Sequence, residues 1–428
     1  MSQSTHFDTL QVHAGNSCDP TTGACATPIY QTASYGFESI EQAARLFELK
    51  DTGYIYTRLS NPTVHALEER ITALEGGSAA VATSSGQAAT FLALQNIATQ
   101  GDNIVASSSL YGGSLTLFGN TFKSFGITFR FCKGRQPADY AALIDSRTKA
   151  LYVETIGNAD FYVPDFEPLA ALAAKAGIPL IIDNTFGGGG YLFQPFSIGA
   201  AVVVHSATKW IGGHGNSIAG LVVDGGNFDW GNGKFPGLSQ PCDSYHGLCF
   251  WDQFGPKAFA ERARALGLRD LGCCMSPFNA FLLLQGVETL SLRMQRAMDN
   301  AQELAQWLQA RQEVASVNYP GLPGNPYYAN ARKYFKNGAG AVLSFCVKGT
   351  KEQTARFVEK LDLITHLANV GDNKTLIVHP ASTTHGQLDN AALRAAGLEA
   401  GTLRLAVGIE YVEDIKQDLA QALRVLSL

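Results

Sequence analysis

Between residues 79 and 204 the chain alternates short apolar runs with segments of helical spacing, and that alternation admits few folds. The runs fall at 79–83, 103–106, 128–131, 149–153, 179–182 and 201–204, each too short for a helix. Helical patterns occupy 64–74, 87–97, 115–122 and 166–176. Strands buried on both faces read as continuous apolar runs, and parallel neighbours need a crossover, usually a helix. The expectation is an α/β chain whose large domain holds a mostly parallel sheet sandwiched by helices. In such sheets ligands gather beyond the carboxyl ends of the strands, so the chemistry is sought in the loops that follow them.

The flanking regions have a different texture. The first 60 residues, rich in Thr, Gly, Pro and aromatics, read as an extended arm with one short helix at 40–48. Residues 225–255 are rich in Gly, Trp and Pro and read as a long insertion, its aromatics shaping a substrate lid, packing or forming a subunit interface. Helical segments at 278–287 and 290–312 then lead to a smaller α/β unit with strands at 341–346 and 402–407. The division expected is an arm over 1–60, a large domain over 61–275 and a small C-terminal domain over 276–428.

Bulk properties exclude some classes. With 428 residues the chain can bury two cores, and a net charge of -5 lacks the basic excess of a nucleic-acid binder. No apolar run approaches the roughly 20 residues that cross a bilayer. The opening MSQSTHFDTLQVHAG lacks the basic-then-apolar pattern of a signal peptide, so a soluble, cytoplasmic protein is expected. The eight cysteines form no C-x-x-C pair, and reduced thiols are expected. His205, His214, His379 and His385 make no recognisable ligand set, and no metal is expected.

The candidate chemistry lies after the strands. A buried run, Val202-Val203-Val204-His205, leads into Ser206-Ala207-Thr208-Lys209 and then glycines. A lysine at the mouth of a parallel sheet forms an imine with an aldehyde cofactor once its pKa is lowered, and Ser206 and Thr208 suit a phosphate on that cofactor. The same residues in isolation also describe a solvated loop. Asp183 ends the run Ile181-Ile182, where a carboxylate needs a partner such as a protonated pyridine nitrogen; Asn184 and Thr185 follow it. Ser84-Ser85-Gly86-Gln87 opens a helix whose free amides suit an anion. Tyr111, after the next strand, suits stacking on a planar ring or moving a proton, and equally suits packing. Tyr56 and Arg58 put a phenol and a cation in the arm. Arg404 sits in an apolar strand, where it either forms an internal ion pair or grips a substrate carboxylate.

Taken together, YTRLSNPT, SSGQAA, LYGG, DNTF, SATKWIGGHG and LRLAVGIE, in this order, resemble the Cys/Met-metabolism family of pyridoxal-phosphate (PLP) enzymes over nearly the whole chain. Within it, FDTLQVHAGNSCDPTTGACATPIYQTASYGF, the aromatic insertion and NVGDNKTLIVHPASTTHGQL resemble the O-acetylhomoserine sulfhydrylases. The resemblance implies the type I, aspartate-aminotransferase-like fold and pyridoxal 5'-phosphate as cofactor. It implies Lys209 as the Schiff-base lysine, Asp183 on the pyridine nitrogen, Tyr111 stacked on the ring and Asn158 near its phenolic oxygen. Gly86, Gln87, Ser206 and Thr208 would hold the phosphate, with Ser85 and Thr185 also in the cofactor-binding set. Tyr56 and Arg58 would reach the phosphate of a neighbouring subunit, with Tyr56 also catalytic, making at least a dimer and by family likeness a tetramer; Arg404 and Asn369 would hold the substrate carboxylate, with Asn158 also in the substrate site.

Two departures stand out. Asn158 is followed by Ala159-Asp160 where the family usually has proline, and the segment after Tyr111 lacks the cysteine typical of methionine γ-lyases. The implied reaction is γ-replacement on O-acetyl-L-homoserine by sulfide or a small thiol, giving homocysteine and acetate, with Lys209 and Tyr111 as proton carriers. A γ-lyase or cystathionine-type activity and an O-succinyl or O-phospho substrate are the alternatives within this chemistry. A nucleotide-binding α/β module or a non-catalytic descendant lies outside it.

Overall fold

The computed structural model describes residues 5–158, 160–383, 399 and 401–427. Each apolar run of the large domain is a strand: β1 (Ala79–Thr83), β2 (Asn103–Ser107), β3 (Thr128–Cys132), β4 (Thr148–Glu154), β5 (Leu180–Asp183) and β6 (Val202–Ser206). A further strand, β7 (Gly220–Asp224), completes a seven-stranded sheet in the order β1-β7-β6-β5-β4-β2-β3. The ladders joining β3, β2, β4, β5 and β6 are parallel, and β7 runs antiparallel to both β6 and β1. The apolar pattern does not reveal β7, because its Gly220-Leu221-Val222-Val223-Asp224 stands next to the glycine-rich stretch and shares its loop-like texture.

The helices α1 (Phe7–His13), α2 (Ile40–Phe47), α3 (Pro62–Glu75), α4 (Gly86–Gln95) and α5 (Phe166–Ala176) begin and end on local chemistry. Asn61 caps α3 by accepting from the amides of Thr63 at 3.0 Å and Val64 at 3.5 Å, with Pro62 at the first helical position. Gly76 closes the same helix at φ 75°, a left-handed conformation that glycine adopts without strain. The arm thus holds a second helix, α1, beyond the single one expected. Gln11 explains it, exchanging hydrogen bonds of 2.8 and 3.0 Å with Ser291 on a distant helix. The helical run Gly112–Ser124 is continuous but widens to a π-helical turn over Leu117–Thr121.

The insertion is a packing element. Trp230, Phe235 and Phe250 are fully buried, and Trp230 stacks on Phe259 with centroids 5.0 Å apart, over a cluster that includes Ala89 and Ala93 of α4. Beyond it, α6 (Pro277–Val287) and α7 (Leu290–Gln309) connect to a second sheet of β8 (Val314–Asn318), β9 (Val342–Val347), β10 (Thr365–His366), β11 (Leu376–Val378) and β12 (Thr402–Ala406). Its order is β10-β11-β12-β9-β8, antiparallel except for β10 with β11. Of these strands only β9 and β12 are legible in the sequence, since the others are short or half exposed.

Asp224, at the end of β7, is buried with no cation paired to it among the described residues, and burial pushes its carboxyl up to about 7. A carboxyl with a raised native pKa holds its proton more tightly folded than unfolded. Its stabilising contribution is therefore full below the ordinary value of 3.8 and is lost as pH rises through about 7. Each tenfold gain in proton affinity corresponds to about 1.4 kcal/mol. Asp224→Asn is expected to remove this part of the pH dependence. Urea unfolding at several pH values between 4 and 8 should give a flatter stability curve for the variant than for the parent.

Candidate active site

Because β2, β4, β5 and β6 run parallel, the loops after them open on one edge of the sheet, and the candidate residues meet there. Lys209 lies three residues past β6 and is half-buried, its Nζ donating to Asn369 Oδ1. Burial, and then the nearby Arg404 guanidinium, hold the Lys209 amine below its ordinary pKa. The turn carrying it is clamped from both sides. Arg293 of α7 donates to the Trp210 carbonyl at 2.8 Å and the Gly286 carbonyl at 2.7 Å. Gly371 approaches so closely that a Cβ there would lie 2.6 Å from the Trp210 nitrogen, and at φ 73° only glycine is unstrained.

Asp183 closes β5. Its Oδ1 accepts from the Thr185 amide at 3.0 Å, and the Tyr152 hydroxyl lies 3.5 Å from Oδ2. Burial raises its carboxyl above the ordinary range, and no Lys or Arg makes an ion pair with it among the described residues. A half-buried acid in that state suits a cationic group arriving from outside the chain. Behind it lies a network with no sequence signature. Glu75, at the end of α3, accepts from Asn184 at 2.9 Å and bonds His205 Nε2 at 2.6 Å, and Thr155 donates to Asn184 Oδ1 at 2.6 Å. All four residues are buried, so this network fixes the ends of β5 and β6 against α3.

Opposite Lys209, α4 points its N-terminus at the end of β6. A Cβ on Gly86 would stand 2.6 Å from Ser206 Cβ, so glycine permits the approach. The Ser206 hydroxyl has no hydrogen-bond partner among the described residues, and Gln87 is exposed beside it. Two expected ligands are otherwise engaged. Ser85 caps α4 by accepting from the Ala88 amide at 3.1 Å. The Thr208 hydroxyl donates to the Ala219 carbonyl at 3.2 Å and accepts from its amide at 3.0 Å, so it would have to release that carbonyl to donate to an anion. Thr185 Oγ1 accepts from the Ser206 amide at 2.8 Å, tying β5 to β6.

Tyr111 caps the helical run after β2 and is half exposed. Arg404, on β12, donates to Asn158 Oδ1 at 2.8 Å, which joins the second sheet to the loop after β4. That loop is held by Asp160, which accepts from Ser109 Oγ at 2.7 Å and pairs with Arg135; Ala159 lies outside the described residues, as does His385. Tyr56 and Arg58 stay apart. Arg58 donates to the Arg269 carbonyl and lies 5.2 Å over the Tyr56 ring, and neither bonds to the Lys209 group among the described residues. Glu154, which closes β4 beside Asp183, is a further buried carboxyl outside the expected set, although it carries the same signal: an acid ending an apolar strand.

The residues present fit an aldehyde cofactor bearing a phosphate: a lysine of lowered pKa, an uncompensated acid, an unpartnered serine hydroxyl at a helix N-terminus, and an exposed aromatic face. Among the described residues no His, Cys, Asp and Glu group suits a metal ion, and no helix is long and apolar enough to cross a membrane.

Comparison with known proteins agrees. Residues 8–424 match the family model for Cys/Met metabolism PLP-dependent enzymes. The chain is 52% identical to O-acetyl-L-homoserine sulfhydrylase 1 of Thermus thermophilus, over 97% of this chain and 99% of that one. It is equally 52% identical to homocysteine synthase of Schizosaccharomyces pombe, over 99% of each. A Campylobacter jejuni protein assigned as an O-acetylhomoserine (thiol)-lyase superposes with a TM-score of 0.93 at 38% identity, covering 98% of this chain and all of that one. Its crystal structure carries N'-pyridoxyl-lysine-5'-monophosphate.

The depressed Lys209 pKa can be checked by mass-spectrometric acylation of the cofactor-free protein across pH. Lys209 should react with a midpoint below that of surface lysines. Replacing Arg404 by Met removes a repelling positive charge and should move that midpoint upward.

Proposed function

The chain belongs to the Cys/Met metabolism family of PLP-dependent enzymes, and from that premise we propose that it converts O-acetyl-L-homoserine and sulfide to L-homocysteine and acetate by γ-replacement. The observation that carries the reading is Lys209, an amine of lowered pKa that donates to Asn369 near the Arg404 guanidinium, on the same edge of the sheet as the buried carboxyl of Asp183. PLP, when bound, supplies an electron sink for the pair left at the substrate Cα.

In this reading Lys209 Nζ attaches the cofactor and, once displaced by the substrate amine, moves protons at Cα and Cβ. Its lowered pKa favours the neutral form, which a base requires. Asp183 holds the pyridine nitrogen protonated, and Thr185 orients Asp183 through its amide. The amides of Gly86 and Gln87 with the Ser206 hydroxyl hold the phosphate at the α4 N-terminus, while Ser85 and Thr208 shape that turn. Tyr111 covers the ring face and shares the proton transfers, Asn158 lies at the ring edge, and Arg404 with Asn369 takes the substrate carboxylate. Loss of the Cβ proton lets acetate leave Cγ; sulfide then adds at Cγ, and return of the protons to Cβ and Cα gives homocysteine.

Tyr56 and Arg58 serve the site of a neighbouring subunit, so the working unit is a homodimer or a tetramer of such dimers. The arm supports this: Ile40 is 91% exposed and Phe47 60%, and a cavity of about 1520 Å³ lies between the 46–55 stretch of the arm and His65, Glu68 and Arg264. Residues 1–60 then act as an arm on the partner. A cytoplasmic setting, where the small-molecule substrate and sulfide meet, completes the reading.

The test is a product assay on PLP-loaded protein given O-acetylhomoserine. Homocysteine and acetate should form only with added sulfide; 2-oxobutyrate as the main product without sulfide would replace this reading by a γ-lyase. Lys209→Ala should lose the borohydride-reducible link to the cofactor and roughly a thousandfold in turnover. Normal kinetics in that variant would overturn the assignment.

A further inference from the structure

Glu154 is a carboxyl at the mouth of the sheet to which the reaction assigns no work. It is 5% exposed, ends β4 and faces Asp183 across the parallel ladder. Burial first, and then the Asp183 charge, push its carboxyl well above the ordinary range. No cation pairs with it among the described residues, so an acid here is costly unless something uses its oxygens. Two amides do. The Tyr111 N–H donates to Oε1 at 2.6 Å, and the Asn158 backbone amide faces the same carboxyl and favours its charged form. Tyr111 begins the helical run after β2, whereas Asn158 lies in the loop after β4 and binds Arg404 at 2.8 Å.

We infer that Glu154 is a positioning residue that fixes the Tyr111 ring and the Asn158–Arg404 pair in one register above the sheet. One side chain thus sets the cover of the cofactor ring and the grip on the substrate carboxylate together. The inference rests on the roles proposed above for Tyr111, Asn158 and Arg404. What decides it is the number of acceptors. Protonated or not, both carboxyl oxygens accept hydrogen bonds, whereas a carboxamide nitrogen cannot. Glutamine keeps the shape and volume of the side chain but offers one accepting oxygen in place of two. Asparagine or aspartate would also change the reach, so glutamine is the cleaner probe.

The experiment compares PLP-loaded parent, Glu154→Gln and Glu154→Ala proteins. For each, cofactor stoichiometry, melting temperature, visible circular dichroism per bound cofactor, and kcat and KM for O-acetylhomoserine are measured. Circular dichroism reads the tilt of the ring in its asymmetric surroundings, which a loss of general stability would leave alone at fixed stoichiometry. The expected result for Glu154→Gln is parent-like stoichiometry and melting, with the dichroic band per cofactor at least halved. Its kcat/KM should fall on the order of 10- to 100-fold, the scale of a misplacement of about an ångström. Glu154→Ala should lose more; if it fails to fold, Glu154→Gln decides alone.

The link to Arg404 is read separately. In an Arg404→Lys background the Glu154→Gln change should raise KM less than it does in the parent, because both act through Asn158. A Glu154→Gln protein with dichroism and kcat/KM within twofold of the parent would overturn the inference. Equal KM effects in the two backgrounds would overturn its connection to Arg404. The Lys209→Ala result is independent of these outcomes, so failure of the underlying reading is recognised on its own.

Discussion

Carboxyl groups at the ends of buried parallel strands govern this site. Glu154 and Asp183 end adjacent strands, Glu75 plugs the gap behind them from α3, and all three stand where water is scarce. A group of this kind must be paired, neutralised or hydrogen-bonded. Each is handled differently. Glu75 is bonded to Asn184 and His205. Glu154 accepts from the Tyr111 amide and faces that of Asn158. Among the described residues the Asp183 carboxyl is hydrogen-bonded by Thr185 with a long contact to Tyr152 and no Lys or Arg paired to it, which leaves it capacity for a cation. The unequal satisfaction of three similar groups marks where the ligand belongs. The same groups that hold the scaffold rigid also leave one valence open.

The second sheet supplies the other half of that arrangement. Arg404 and Asn369 come from β12 and the loop before β11, yet they bond to Asn158 and Lys209 of the large domain. The Asn373 amide donates to the Gly213 carbonyl at 2.8 Å, which stitches the same loop to the turn after Lys209. Lys209 is therefore desolvated by two units at once, and the cation that lowers its pKa comes with the unit that would grip substrate. With Arg404 in its proposed role, nucleophile activation and carboxylate recognition would be coupled by geometry: a guanidinium placed to hold a substrate carboxylate is also close enough to repel a lysine proton. A substrate carboxylate on Arg404 would weaken that repulsion and make Lys209 more basic at the moment it takes up a proton.

How much of this is legible in the sequence follows from periodicity and its limits. The strands β1 to β6 are legible because burial on both faces leaves an uninterrupted apolar run, and Lys209 and Asp183 are legible because each follows such a run. Flanking glycine hides β7, and α1 is hidden by a burial that depends on Ser291, 280 residues away. Glu75 is invisible for a different reason. It stands at the end of an ordinary amphipathic helix, where a glutamate is expected on the surface, and only the tertiary fold carries it to Asn184. Glu154 yields to the argument applied to Asp183, since both are acids that close apolar strands. The hydroxyls of Ser85 and Thr208 do belong to loops around the site, but their engagement with Ala88 and Ala219 depends on local geometry that composition does not encode.

The departure at Ala159-Asp160 shows how one turn can be fixed by different physics. A proline would fix the backbone locally through its ring. Here Asp160 is instead bound to three elements: the Tyr162 amide at 3.2 Å, the Ser109 hydroxyl at 2.7 Å and the Arg135 guanidinium, which also stacks 4.2 Å over the Tyr162 ring. Phe161 sits between them at φ 57°, a conformation a phenylalanine adopts only when its surroundings enforce it. Its ring is buried, so the strain is offset by apolar burial rather than released. Asn158 is thus held from one side by Glu154 and from the other by an ion pair that is about one-third exposed. A proline is indifferent to ionic strength, whereas a partly exposed ion pair weakens with salt. In this chain the register of Asn158, and through it of Arg404, is an electrostatic property of the loop rather than a covalent one.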